Sequence, residues 1–282
     1  MHKSIFERLE KNYSNPLDEY IKISSFISEK ECFYSDSIYL CFYKLFPYCE
    51  PLRKHYSNLS ECIQENLGIL ANYHYGVGND IYEGFDHEIK EEILDSFLTY
   101  IEIISCILCV FKKYYPSVFG SAHINKPNLN QLEEMIDESL RSINYKIEEK
   151  NPNNVVIIKS DPISEQVAEQ SSPNMKVAFL NYLSIRNGDI KGKEKALHDI
   201  IDLLEPDFKK FENTSIINSV KEYAQIIRHP EIKKNQKEYE WFVDNKNLYL
   251  DQLFTLCVFT QQYVLSKSII DSFSEEKKKA SQ

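Results

Sequence analysis

Apolar residues recur at helical spacing along most of the chain, and capping residues mark where several of these segments begin. Asn15 precedes Pro16, so an amide side chain can cap the first turn of a helix and proline takes a position that needs no donor. The longest apolar pattern opens at Asp86 and weakens near Lys113, ahead of Pro116. The same periodicity predicts further amphipathic helices within residues 57–70, 129–140, 177–185, 189–206, 216–227 and 250–269.

The hydrophobic period changes once, after residue 142. The segment 143–148 alternates between apolar and polar residues, 151–154 (Asn-Pro-Asn-Asn) has turn chemistry, and 155–158 is β-branched. These features predict a β-hairpin, which must pack on a helix because an isolated pair of strands is marginal in water. The polar stretch from Ser160 to Asn174 is interpreted as a hinge that is partly helical.

The predicted fold is all-α, with two packed helical bundles and one small β-hairpin between them. The N-terminal bundle covers residues 1–142, the hairpin 143–160 and the C-terminal bundle 161–282, with a frayed, solvated tail from Ser274 to Lys279. Only 7 glycines and 10 prolines occur in 282 residues, which disfavours sandwiches and barrels because those folds need frequent turns.

The charge and the cysteine content narrow the range of ligands and sites that the chain is expected to have. The net charge is −10, so the chain as a whole lacks the basic excess that nucleic-acid binding uses. Seven cysteines follow an N-terminus without a signal-peptide pattern, and we expect reduced thiols in the cytoplasm. Cys106 and Cys109 form a CxxC inside an apolar run, where core packing is the expected role. We therefore predict no metal and no cofactor.

The apolar run of residues 93–111 raises the question of a membrane span. Asp95, Thr99 and Glu102 interrupt it, whereas a spanning helix needs about 20 apolar residues with few or no charges. A buried core helix is the interpretation, and no membrane association is predicted.

Four strings in the C-terminal half carry a family resemblance. Arg186-Asn187-Gly188-Asp189 ends a predicted helix, Lys193-Glu194-Lys195-Ala196-Leu197 and Leu203-Leu204-Glu205-Pro206 come next, and Ile226-Ile227-Arg228-His229-Pro230 stands at a helix end. In this order, and after the hairpin, they resemble proteins of bacterial abortive-infection systems over roughly residues 129–265. The C-terminal domains of those proteins are similar to the HEPN superfamily of helical bundles.

The resemblance implies RNA cleavage without a metal ion. In that family an arginine and a histidine, separated by four to six residues at a helix end, meet across a dimer. The histidine would act as acid or base, and the arginine would stabilise the phosphorane. None of the five arginines here has a histidine five to seven positions further on.

Arg228 and His229 remain the candidate catalytic pair, with Lys233 and Lys234 as candidate RNA-binding residues. The alternative is that Arg228 serves the carbonyls at the end of its own helix and that His229 begins the following loop.

Three functions stay open. The leading hypothesis is a non-catalytic or degenerate HEPN-like protein of a bacterial defence or stress response, which acts through a protein or RNA partner. The second is a metal-independent RNase that uses Arg228 and His229. The third is a helical interaction scaffold whose aromatic residues Phe42, Tyr43 and Phe46 dock a partner. A homodimer is compatible with all three, and the sequence leaves enzymatic activity undecided.

Overall fold

The computed structural model describes residues 15–72, 82, 84–119, 124–151, 154–211, 214–229 and 242–280. The protein is all-α with two small antiparallel two-stranded sheets, which confirms the predicted fold class. The chain divides into two compact units, unit 1 (residues 1–159) and unit 2 (residues 160–282).

Unit 1 contains helices and two hairpins. One hairpin was predicted; the other is a short pair of strands near the N-terminus. The described elements are α1 (Pro16–Glu29), β1 (Glu31–Phe33), β2 (Asp36–Ser37), α2 (Ile38–Leu45), a 3-10 turn (Phe46–Tyr48), α3 (Glu50–Arg53), α4 (Leu59–Asn66), a second 3-10 turn (Gly68–Asn72), α5 (His87–Phe119), α6 (Lys126–Ser142), β3 (Tyr145–Asn151) and β4 (Asn154–Lys159).

Local capping explains where the helices of unit 1 begin. The Asn15 side chain accepts a hydrogen bond from the backbone N–H of Asp18 at 2.8 Å, as predicted. The cap of α4 is Asn58, which accepts from the Glu61 N–H at 3.0 Å. The Glu61 carboxylate in turn accepts the N–H of Ser57 at 2.7 Å, so the two side chains satisfy orphan amides reciprocally.

The helix α5 forms the centre of unit 1 and is longer than its sequence pattern predicts. It runs through Pro116 to Phe119, so the expected end near Lys113 is wrong. A proline removes one backbone hydrogen bond, and only three helical residues follow it here. Helices α1, α2, α4 and both strands of the β3–β4 hairpin pack on α5. The hairpin belongs to unit 1, and its Ile157 joins the core that contains Phe97 and Ile107.

Unit 2 is a helical bundle. Its described elements are α7 (Pro162–Gln170), α8 (Pro173–Ser184), α9 (Ile190–Lys210), α10 (Ser215–Arg228) and α11 (Lys246–Ala280). Most of the predicted hinge is therefore helix: Asp161 caps α7 through the N–H groups of Ile163 and Ser164. Asp189 caps α9 as predicted, and Pro206 lies inside α9 and does not end it.

The core of unit 2 lies between α9 and its neighbours. Helix α9 packs on α8, α10 and α11, and α11 also packs on α7 and α10. Leu197, Ile200, Leu253 and Cys257 are fully or almost fully buried there. The predicted frayed tail is helical to Ala280, although its side chains are exposed.

Candidate functional site

The predicted catalytic arginine lies in an ion-pair network. Arg228 is the last residue of α10, and its Nη1 donates to Glu205 Oε1 of α9 at 2.7 Å. Its Nη2 donates to Asp202 Oδ1 on the preceding turn of α9. Two carboxylates thus compensate one guanidinium. These contacts direct the Arg228 side chain toward α9. The alternative predicted from the sequence placed this side chain at the carbonyls that end its own helix.

Of the other predicted site residues, the structure describes His229. His229 is the C-cap residue of α10, where its backbone N–H donates to the Gln225 carbonyl at 2.9 Å and its side chain is exposed. The candidate RNA-binding residues Lys233 and Lys234 lie outside the described residues.

A buried lysine in unit 2 organises a polar cluster that the sequence analysis missed. Lys193 in the first turn of α9 is 2% exposed. Its Nζ donates to Asp251 Oδ1 at 2.8 Å, to Asn247 Oδ1 at 2.6 Å and to Asn187 Oδ1 at 3.3 Å. The Tyr182 hydroxyl donates to the same Asp251 oxygen at 2.7 Å. The three donors of the ammonium therefore each have an acceptor.

The cluster joins three helix ends of unit 2. Burial, and after it the Asp251 carboxylate, raises the pKa of Tyr182, so the phenol remains a protonated donor. Its ring stacks on Phe254, with 4.1 Å between ring centroids. Because the Lys193 ammonium, the Tyr182 hydroxyl and the Tyr182 ring are all engaged within the bundle, the cluster fixes the starts of α9 and α11 against the end of α8. One signal could have found it: Lys193 is spaced like the apolar positions 196, 197 and 200.

The aromatic docking patch predicted near the N-terminus is mostly core. Phe42 and Phe46 are buried, and Phe42 packs edge-on against Phe111 of α5. Only Tyr43 of the three is exposed. The predicted patch is therefore wrong in two of its three residues, because Phe42 of α2 and Phe46 of the following 3-10 turn pack into the core.

Helix α11 carries a second apolar face, opposite to its buried one. The buried face includes Leu250, Phe254 and Cys257. Helical spacing places the other face about half a turn away. Its members are all partly or largely exposed, with Ile270 at 56% and Phe273 at 72%. We call the following five residues the exposed α11 face: Phe259, Tyr263, Ile269, Ile270 and Phe273.

The C-terminal part of the exposed α11 face lies on a segment that extends beyond the core. From Phe259 to Phe273 it spans about 21 Å of helix. All described side chains beyond Lys267 are exposed. An isolated segment of this length is a marginal helix in water. The helical structure of this segment is therefore stabilised by its continuity with the packed part of α11.

Two helices, α5 and α11, are long and apolar enough to cross a membrane by length and composition alone. In α5 72% of the apolar window is buried within the protein, which is the behaviour of a core helix. In α11 the buried share is 33%. The composition of these helices therefore does not decide their environment.

The cysteines are thiols, and none of the seven forms a disulfide. Cys106 is buried, as expected for the CxxC segment, while Cys109 is half-buried. Within the described ranges, no three His, Cys, Asp or Glu side chains converge as a metal-binding group.

The exposed α11 face differs from the two polar clusters of unit 2, because its apolar side chains are partly or largely open to solvent. The Lys193 cluster and the Arg228 network are satisfied by contacts inside unit 2, whereas Ile270 and Phe273 face solvent. No protein-family model, curated protein or solved structure matches the chain.

Proposed function

We propose that this protein is a non-catalytic helical scaffold, and that its exposed α11 face pairs with the same face of a second copy. The observation that carries the proposal is the solvent exposure of five large apolar side chains on one side of a single helix. Contiguous apolar patches on soluble proteins commonly mark interaction surfaces.

The spacing of the face fits another helix. Phe259, Tyr263, Ile270 and Phe273, with Ser266 between them, follow steps of four, three, four and three residues. This repeat forms the seam of two-helix coils, in which side chains of one helix fill the gaps of the other. A helical partner therefore matches the surface.

A second copy of the chain can cover the exposed α11 face, because the residues of this face are self-complementary. When two α11 helices pair antiparallel about Ser266, Phe259 lies opposite Phe273 of the second copy. Tyr263 then lies opposite Ile269, and the small serine sits at the crossing. The exposed fractions correspond to roughly 500 Å² of apolar surface per copy. Two copies reach about 1,000 Å², the low end for specific interfaces, so the dimer is weak and concentration-dependent.

The charges near the face support a protein partner over RNA. No charged residue between Phe259 and Phe273 falls on it, and the neighbouring Lys267 and Asp271 form an ion pair at 3.4 Å. RNA binding uses basic residues that contact phosphates, together with aromatic stacking. The exposed α11 face lacks such basic residues, and the chain as a whole has a net charge of −10.

The non-catalytic part of the proposal is supported by the position of Arg228. Its guanidinium is paired with Asp202 and Glu205, and stabilising a phosphorane would require its charge to be redirected from those carboxylates. A role in bacterial defence also belongs to the proposal and rests only on the sequence resemblance to abortive-infection proteins.

The oligomeric state tests the scaffold proposal. Sedimentation of the full chain over a concentration series should show a monomer–dimer equilibrium. Ile270→Lys and Phe273→Lys should each raise the dissociation constant about tenfold or more, because each places a charge in the apolar seam. Both side chains are largely exposed, so the variants should keep the wild-type helix content.

The matched control is Ser268→Lys, which adds the same charge to the opposite side of α11 and should leave the dissociation constant unchanged. A wild-type chain that is monomeric at all concentrations would overturn the proposal. So would a monomer that binds phospholipid vesicles through Phe273, because the face would then serve a lipid surface.

A further inference from the structure

Two cysteine sulfurs meet in the core of unit 1. The Sγ atoms of Cys49 and Cys106 lie 3.2 Å apart, although 57 residues separate them along the chain. Cys49 precedes α3, and Cys106 lies in the middle of α5. Both are buried.

Aromatic contacts hold the two sulfurs in place. On the chain before Cys49, Phe42 packs against Phe111, with 6.5 Å between ring centroids. Tyr48, the residue next to Cys49, stacks on Tyr114 at 5.7 Å. The segment that carries Cys49 thus packs against α5 on the C-terminal side of Cys106. The contact between the two sulfurs is therefore part of a packed interface.

We propose that Cys49 and Cys106 are a redox-reactive dithiol that oxidants of the peroxide class convert to a disulfide. A disulfide bond is about 2.05 Å long, so its formation requires the sulfurs to approach by roughly 1 Å. Rotation about the side-chain bonds supplies a movement of this size without separating the Phe46–Tyr48 turn from α5. This site is independent of the exposed α11 face, which lies in unit 2.

The environment of the pair distinguishes the two thiols. A hydrogen bond from Cys106 lowers the pKa of Cys49, with the backbone N–H of Leu52 as a smaller cause. The same sulfur–sulfur hydrogen bond raises the pKa of Cys106. Because the thiolate is the nucleophile and the Leu52 N–H also donates to Cys49, we assign the attack on peroxide to Cys49 and the resolving step to Cys106. By contrast, burial raises the pKa of Cys62 to about 12 and keeps it a thiol.

The reaction balances in two steps. The Cys49 thiolate attacks one oxygen of hydrogen peroxide, the O–O bond breaks, and a sulfenic acid and hydroxide form. The Cys106 thiol then attacks the sulfenic sulfur, the S–O bond breaks, and the hydroxyl leaves as water once it has taken up a proton. Two thiols are oxidised and one peroxide is reduced to two waters. Since Cys49 is fully buried, peroxide reaches it through local opening, and the reaction is slower than at a surface thiol.

Mass mapping of the peroxide-treated full-length chain tests the assignment. We expect an intact-mass loss of two hydrogen atoms and a peptide that links Cys49 to Cys106. The bond closes a long loop, so the melting temperature of the oxidised protein should rise on the order of 5–10 °C, and a reductant should reverse the rise.

Variants separate this pair from the other thiols. Cys49→Ser and Cys106→Ser should each abolish the linkage and the rise in melting temperature. Cys257→Ser, which alters a buried thiol in unit 2, should retain both. The proposal is overturned if the wild-type map shows no Cys49–Cys106 linkage, for example only sulfinic acid or only a Cys32–Cys41 linkage. Because that map needs no variant, the outcome holds even where a variant fails to fold.

Discussion

Helices α5 and α11 are similar in length, yet the protein packs them differently. They have 33 and 35 residues, and each contains a window apolar enough for a membrane. Helix α5 is enclosed by α1, α2, α4 and the β3–β4 hairpin, whereas α11 packs on α7, α9 and α10 but extends past them. The difference lies in the neighbours, because the same kind of side chain is core in one helix and surface in the other.

The largest expected difference in the free energy of unfolding is between the loss of a phenylalanine side chain from α5 and the loss of one from α11. Phe97→Ala should lower the free energy of unfolding of unit 1 by about 3–5 kcal/mol, because Phe97 is fully buried and leaves a cavity. Phe273→Ala should change the unfolding of the monomer by less than about 0.5 kcal/mol. Denaturant titrations of both variants give the comparison. Equal losses would mean that the end of α11 is as well packed as α5.

A smaller effect is expected at the buried part of α11. Asp251→Asn removes the charge partner of Lys193 and should cost about 2–3 kcal/mol, less than a fully buried pair because Asp251 is partly exposed. The control is Asp271→Asn, which removes an exposed partner of Lys267 on the same helix and should cost under about 0.5 kcal/mol. Thermal or denaturant unfolding measures both. Similar values would show that Lys193 does not depend on Asp251.

The smallest effect is expected at the surface network of α10. Replacing both Arg228 and His229 by alanine should reduce the free energy of unfolding by about 1 kcal/mol or less, since the carboxylate partners are well exposed. The decay of added single-stranded RNA should be the same for this variant and the wild type. Lys209→Ala serves as a surface-charge control. If the wild type cleaves RNA and the double variant alone loses cleavage, the RNase hypothesis is correct.

The sequence predicts the parts of the fold that depend on local chemistry. The caps at Asn15 and Asp189 and the β3–β4 hairpin follow from short-range patterns, and the structure confirms them. The predicted end of α5 was wrong, because the helix continues for three residues past Pro116 and Val118 packs against the core of unit 1.

The candidate site depends on which neighbours a helix acquires, which periodicity does not reveal. The predicted amphipathic helix within residues 250–269 includes Ile269, yet this side chain is largely exposed because α11 continues beyond its neighbours. Phe42 and Phe46 were expected at a docking surface but lie in the core. The contact between Cys49 and Cys106 joins segments 57 residues apart, and only tertiary packing creates it.

The Lys193 cluster also constrains how this chain can change over evolutionary time. Loss of Asp251 alone leaves an ammonium without its counterion inside the bundle, and loss of Lys193 alone leaves unfilled acceptors between α8 and α9 and near the start of α11. Either single step is unfavourable, while an apolar pair of similar volume would be tolerated. Descendant sequences should therefore either keep both residues or exchange them together.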